Sequence, residues 1–207
     1  MLPARQTKSY KPGKCPSNGT LFSARLPFRK QRIPAMPLTF RRLAPDDAVA
    51  YRALMLEAYT LHPDAFTSDV AEREALPISW WQNRLDNAPS ASDAVFAALE
   101  DRRLLGTVGL SMETRKKARH KCTLFGMYVP LAHRARGIGQ QLMNNVLAYA
   151  TSQTQLLVVQ LTVTQGNAGA QALYERMGFV PFGLEPLAVS VGGGFVSKVH
   201  MWKDLRD

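Results

Sequence analysis

The chain has 207 residues, 46% of them apolar, with 26 Lys and Arg against 16 Asp and Glu and a formal net charge of +10. That length suits one compact domain plus an extension, and no uninterrupted apolar stretch approaches the ~20 residues of a bilayer-spanning helix, which argues against a membrane partner. The only cysteines, Cys15 and Cys122, stand far apart in the sequence; this excludes a disulfide framework or a metal knuckle, and the expected location is a reducing cytoplasm.

The positive charge is concentrated at one end. Residues 1–37 contain Arg5, Lys8, Lys11, Lys14, Arg25, Arg29, Lys30 and Arg32 and no acidic side chain, so the rest of the chain is close to balance. The same segment carries Pro3, Pro12, Pro16, Pro27, Pro34 and Pro37 without a sustained apolar period, the composition of a disordered extension. It reads in three ways: a transit peptide, a nucleic-acid arm, or a stretch upstream of the working protein. The third is favoured because Met36 directly precedes Pro37-Leu38-Thr39-Phe40-Arg41, an ordinary opening to a first strand. A nucleic-acid partner is therefore expected only through this extension, where aromatic residues are sparse, and the folded domain is expected to cover 38–207.

Taken in order, 38–43 has the pattern of a strand and 45–59 of a helix, with Asp46 and Asp47 in its first turn. Pro63 breaks the run. Helical stretches follow at about 68–76 and 78–86, the second with Trp81 and Leu85 on one face, and both are expected to wall a cleft. The apolar runs 93–99 and 104–112, joined by Glu100-Asp101-Arg102-Arg103, form a hairpin signature. After a basic loop, 122–129 reads as another strand. Ile138, Leu142, Met143, Val146, Leu147 and Ala150 then follow helical spacing, and 156–163 is a β-branched run suited to a buried strand. A last helix over 168–177 stops at Gly178, and 195–202 is a closing strand. The order is mixed α/β without an internal repeat.

The informative segment lies between a strand and an amphipathic helix: Met127-Tyr128-Val129-Pro130, then Arg134-Ala135-Arg136-Gly137-Ile138-Gly139-Gln140. Glycines at 137 and 139 let a ligand approach the backbone, and the amides at the start of the helix, with its dipole, favour an anion such as a pyrophosphate. Without its flanks, a Gly-x-Gly is most simply a tight turn. Leu142 stands where a dinucleotide fingerprint needs its third glycine, and no Gly-Lys-Ser/Thr follows, so neither of those nucleotide sites applies.

Arg134-x-x-Gly137-x-Gly139 resembles the acetyl-CoA signature of the GNAT superfamily of N-acetyltransferases. Asn167-Ala168-Gly169-Ala170 through Leu173-Tyr174-Glu175-Arg176-Met177-Gly178-Phe179 is similar to that superfamily's second conserved segment, in the right order and at the expected distance. The likeness covers 38–207. It implies an α/β (α+β) fold: a mixed, mostly antiparallel seven-stranded sheet flanked by helices and splayed in the middle to admit acetyl-CoA as co-substrate. It also implies that Met127 and Val129 pair with the pantetheine arm through their backbones, that an amide near Tyr128 polarises the thioester carbonyl, and that residues 134–140 bind the coenzyme's diphosphate.

The implied reaction is direct attack of a primary amine on the thioester in a ternary complex. An alkyl ammonium with a pKa of about 10.4 must first lose a proton, and the departing thiolate is usefully protonated. Tyr174 is the candidate donor; its alternative role is a packed helix tyrosine beside Leu173 and Met177. Asn167 is either a helix N-cap or a cofactor contact. The family often carries a carboxylate base on the strand before the cradle, yet 122–129 has none. His120 is the remaining catalytic candidate, set against a solvated histidine in a basic loop, with Glu57 and Glu113 weaker. The acceptor is expected to be a small molecule or amino acid, chosen by residues around 55–66 and 188–196. A protein N-terminus or lysine, a CoA-binding fold without catalysis, and a possible homodimer all stay open.

Overall fold

The computed structural model describes Gly13 and residues 37–206. The reading of the basic extension therefore falls almost wholly outside the described residues. Seven strands and five helices run in the order β1 (Thr39–Arg42), α1 (Ala48–Leu61), α2 (Val70–Glu74), α3 (Ile78–Arg84), β2 (Asp93–Glu100), β3 (Arg103–Met112), β4 (Lys121–Tyr128), α4 (Ile138–Ser152), β5 (Val158–Thr164), α5 (Ala168–Arg176), β6 (Val180–Val191) and β7 (Gly194–Asp204). They build one sheet, β1-β2-β3-β4-β5-β7-β6, antiparallel at every pairing except β4 with β5.

Side chains on a strand alternate between faces, and β2 is buried on both. Ala94, Phe96 and Ala98 enter the larger core with Ile138, Leu142, Met143 and Val146 of α4. Val95, Ala97 and Leu99 enter a second core on the opposite face, with Tyr51, Leu54 and Met55 of α1 and Trp81 of α3. Helices therefore cover both faces, and the continuous apolar run of β2 follows from that. Leu142 is fully buried, and truncating such a residue to alanine costs ~2–5 kcal/mol.

The hairpin β2–β3 turns through Asp101 (φ 49°) and Arg102 (φ 65°), two left-handed residues that match the right-handed twist of the flanking strands. The helix read from Pro45 opens instead with a 3₁₀ turn, Pro45–Asp47, before α1 begins. There the Asp47 carboxylate accepts from the Ala44 amide and from Arg41. Six strands are legible in the sequence; β6 supplies the seventh that the resemblance implies.

Two departures from regularity shape the middle of the sheet. Between Gly109↔Phe125 and Thr107↔Tyr128 the β3–β4 register gains one residue on the β4 side, and Gly126 (φ 60°) lies within that stretch. Such a bulge kinks a strand and re-aims the residues beyond it. Strands β4 and β5 pair only at Lys121↔Val158, Cys122↔Val159 and Thr123↔Gln160. Beyond Thr123 they part, and the opening lies toward the end of β4 that leads into the cradle.

Candidate acetyl-CoA and acceptor site

The opening divides into two cavities. The larger, about 840 Å³, is lined by Met127, Tyr128 and Val129 from the end of β4, by 133–135 and 137–140 from the loop and first turn of α4, and by Gln165, Gly166, Asn167, Gly169 and Tyr174 across the gap. The smaller, about 310 Å³, lies between β4 and β5 and the loop 65–68, with Arg73 of α2 and Arg84 of α3 in its wall. Ala65, Phe66, Met127, Thr164, Asn167, Ala170 and Tyr174 border both.

The cradle is built by the backbone. Gly137 is the N-cap of α4 in a left-handed conformation, φ 74°, and a Cβ placed there would meet no atom of the described protein within 4 Å. The space in front of Gly137 belongs to the larger cavity. At Gly139 a Cβ would come within 3.3 Å of Met127 and 3.4 Å of Leu173, so the glycine lets the first turn close on β4 and α5. Ala135 is also left-handed, φ 59°. The first helical bond runs from the Gln141 amide to the Gly137 carbonyl. The amides of residues 136–140 have no acceptor among the described residues. Unpaired amides of a helix N-terminus are an anion site with a fixed geometry, and the donor set fits a diphosphate.

The arginines of the motif are held by the protein. Arg134 donates from Nε to the Val129 carbonyl at 2.9 Å and lies 3.3 Å from His62 Nε2. It fixes the loop to the strand end and occupies one lone pair of the carbonyl expected to meet pantetheine. Arg136 pairs with Glu100 at 2.6 Å and holds that carboxyl below its usual range; its side chain ties the cradle to the β2–β3 hairpin and stays outside the larger cavity. Of the residues expected to bind the coenzyme, Met127, Tyr128, Val129, Arg134, Ala135, Gly137, Ile138, Gly139, Gln140 and Asn167 all line that cavity, and Arg136 does not.

Asn167 caps α5, its Oδ1 accepting from the Ala170 amide at 3.2 Å, while it also borders both cavities. Tyr174 is 6% exposed, with its ring edge-on to Phe179 at 6.1 Å. Its hydroxyl has no hydrogen-bond partner among the described residues, and burial pushes the phenol up to about 12. It therefore holds its proton at neutral pH, at the junction of the two cavities.

His120 is not brought to either cavity. It precedes β4 at the end where β4 and β5 run together, and its carbonyl accepts from the Leu157 and Val158 amides. At ~3.3 Å per strand residue this is on the order of 20 Å from Met127. The segment 188–196, expected to help choose the acceptor, forms the β6–β7 hairpin and lines neither cavity. The segment 55–66 does contribute, through Tyr59, His62, Asp64, Ala65 and Phe66.

Lys198 has no signal in the sequence. It is 3% exposed, and its Nζ donates to the carbonyls of Asp64 and Ala65 at 2.9 and 3.0 Å and to Thr164 Oγ1 at 2.7 Å. Thr164 Oγ1 in turn donates to the Asp64 carbonyl at 2.7 Å. These bonds pin the loop after α1, which walls both cavities, onto β5 and β7.

A seven-stranded sheet opened between β4 and β5, with a glycine-built anion cradle at the opening, is the architecture of a coenzyme A acyltransferase. The chain matches the Acetyltransferase (GNAT) family over residues 55–179 and belongs to that family. It is 27% identical over 127 residues to the probable N-acetyltransferase YjcK of Bacillus subtilis (strain 168), covering 61% of this chain and 65% of that protein, just under two thirds of its length. A GNAT-family acetyltransferase structure from Streptococcus pneumoniae superimposes with a TM-score of 0.72 at 25% identity, over 81% of this chain and 99% of that one. The structure of yncA, a putative acetyltransferase from Salmonella typhimurium with its cofactor acetyl-CoA, superimposes with a TM-score of 0.68 at 19% identity, over 83% and 95%.

Proposed function

We propose that the protein is an acetyl-CoA-dependent N-acetyltransferase that passes the acetyl group directly to a primary amine while both reactants are bound, in the cytoplasm. The observation that carries this reading is the row of unpaired amides at 136–140, beside the place where β4 and β5 part. The larger cavity would hold the coenzyme and the smaller one the amine.

Acetyl-CoA supplies the activated thioester carbon that the amine attacks. The protein's part is positioning and proton management. The amides of 136–140 bind the diphosphate. Main-chain groups of Met127 and Val129, with no β5 beside them, are placed to treat the pantetheine arm as a further strand, and the backbone near Tyr128 to polarise the thioester carbonyl. Tyr174 keeps a proton available for the departing thiolate, since its phenol lies near 12.

Among the described residues no carboxylate or imidazole lines the smaller cavity, so His120 is not retained as the base. The amine's proton leaves through water. Arg73 and Arg84 assist, because a neighbouring cation disfavours the ammonium form. A cavity of about 310 Å³ holds on the order of ten waters, which favours a small molecule or amino acid over a protein segment.

The test is thiol release from acetyl-CoA against a panel of small amines, with the acetylated product identified by mass. Amine-dependent turnover is expected. Coenzyme binding without amine-dependent thiol release would return the chain to a non-catalytic CoA-binding role.

A further inference from the structure

The smaller cavity has a charge that the acetyl transfer itself does not require. Among the described residues two guanidiniums, Arg73 and Arg84, line it, and neither Asp nor Glu does. Arg73 forms no ion pair among the described residues; it donates to Ser68 Oγ at 2.6 Å and stacks 4.7 Å from the centre of the Trp80 ring. Arg84 stacks on Phe125 at 4.1 Å and on Trp80 at 5.2 Å, and it neighbours the Tyr51 hydroxyl. The one carboxylate paired with it among the described residues, Asp93, is 3.8 Å away, lies outside the cavity, and is too distant for a hydrogen bond.

The two cations are thus held by aromatic faces, with Trp80 shared between them. Such stacking fixes a guanidinium in space and leaves edge donors beyond those engaged by Ser68 and Tyr51, and those donors match the oxygens of a carboxylate or phosphonate. One distant carboxylate does not neutralise two guanidiniums, so this wall repels a second ammonium. Tyr59, Phe66 and Phe125 add aromatic faces to the cavity, and Thr67, Ser68, Thr123, Thr162 and Thr164 add hydroxyls.

Building on the acetyltransferase reading, we infer that the acceptor is a small amine that also carries an anionic group, an amino acid or its phosphonate counterpart, and that Arg73 and Arg84 bind that group. Polyamines and simple alkylamines are discriminated against. The arginines are specificity residues: they hold the acceptor's anion and orient its amine toward the junction with the larger cavity.

The experiment compares three matched forms of one compound on the full chain: L-phenylalanine, L-phenylalaninamide and phenylethylamine, together with the phosphonate analogue of the first. Binding is followed by tryptophan fluorescence, to which Trp80 reports directly, and turnover by thiol release; L-methionine and L-leucine series repeat the comparison. The expected result is that the acid or phosphonate binds and turns over at least tenfold better than its amide and its decarboxylated amine. Arg73→Gln and Arg84→Gln each erase that preference, whereas Arg73→Lys keeps part of it, and all three retain coenzyme A affinity within about twofold, which certifies their folding. Amides or amines bound as well as the acids would overturn the inference while leaving acetyl transfer intact. The fluorescence comparison decides the anion preference even if no acetyl transfer is observed, and that second outcome would count against the acetyltransferase reading alone.

Discussion

The Tyr128 phenol donates to Glu57 Oε1 at 2.9 Å, joining the last residue of β4 to the penultimate turn of α1. Burial and then this bond push the phenol up to about 12. The Tyr128 ring also faces His62 at 5.8 Å, so the strand end that leads into the cradle is fastened to the helix whose following loop walls both cavities. Tyr128→Phe keeps the ring and the main chain and removes only the bond. It is expected to lower stability by ~0.5–1.5 kcal/mol, seen as a lower Tm, while coenzyme affinity stays within about twofold. A tenfold loss of affinity would assign the hydroxyl a direct binding role.

Gly137 separates a fold effect from a ligand effect, because a Cβ there touches nothing in the described protein but enters the cradle. Gly137→Ala at φ 74° incurs the left-handed backbone penalty of ~1–2 kcal/mol. The coenzyme should bind at least tenfold more weakly in calorimetry, with the fold otherwise retained by circular dichroism. Unchanged affinity would place the diphosphate elsewhere.

Tyr174→Phe removes the hydroxyl at the junction of the cavities. If that hydroxyl protonates the leaving thiolate, kcat falls by ~100-fold or more, while the KM for acetyl-CoA changes little. The phenol lies near 12, so the wild-type profile should have no alkaline decline from this group below about pH 11, and the variant's residual rate should keep the same pH shape. An unchanged kcat would make Tyr174 a packing residue.

With no base in the smaller cavity, the reactive fraction of acceptor is the unprotonated amine. For an amine of pKa about 10.4, log kcat/KM is expected to climb with a slope of about one between pH 6.5 and 8.5. A plateau reached within that range would reveal a protein base.

Burial lowers the pKa of Lys198. The folded state then binds fewer protons than the unfolded chain between the lowered value and about 10.4, so this group makes stability rise as pH rises through that window. Lys198→Met should abolish that component of the rise. It should also loosen the loop at 62–66, raising KM for both substrates, because the Asp64 and Ala65 carbonyls and Thr164 lose their shared donor.

The legible part of the sequence is local. Continuous apolar runs mark β2 and β3, the 3.6-residue period marks α4, and the glycines at 137 and 139 at the start of that helix mark the cradle. Asn167 reads equally as cap and cofactor contact, and its geometry serves as a cap while leaving it at the cavity edge. The strand β6 is hidden because Pro181, Gly183 and Pro186 interrupt it and because Val180, Phe182 and Leu184 are exposed; an edge strand tolerates both. The smaller cavity is hidden for a different reason. Arg73 and Arg84 sit on short helices where charges usually face water, and only their aromatic neighbours distinguish them. Trp80 four residues before Arg84 is the available signal, since positions i and i+4 share a helix face. His120 is near the strand in sequence, but the parting of β4 and β5 lies toward the strand's other end.

That main-chain amides at 136–140 hold the coenzyme's diphosphate is tested most directly by calorimetry of acetyl-CoA beside S-acetylpantetheine, which keeps the thioester and the amide arm but lacks the diphosphate and the adenosine 3′-phosphate attached to it. Saturable acetyl-CoA binding and at least 100-fold weaker binding of the truncated compound are expected. Equal affinity for the two, or no affinity for either, would contradict that role of the amides.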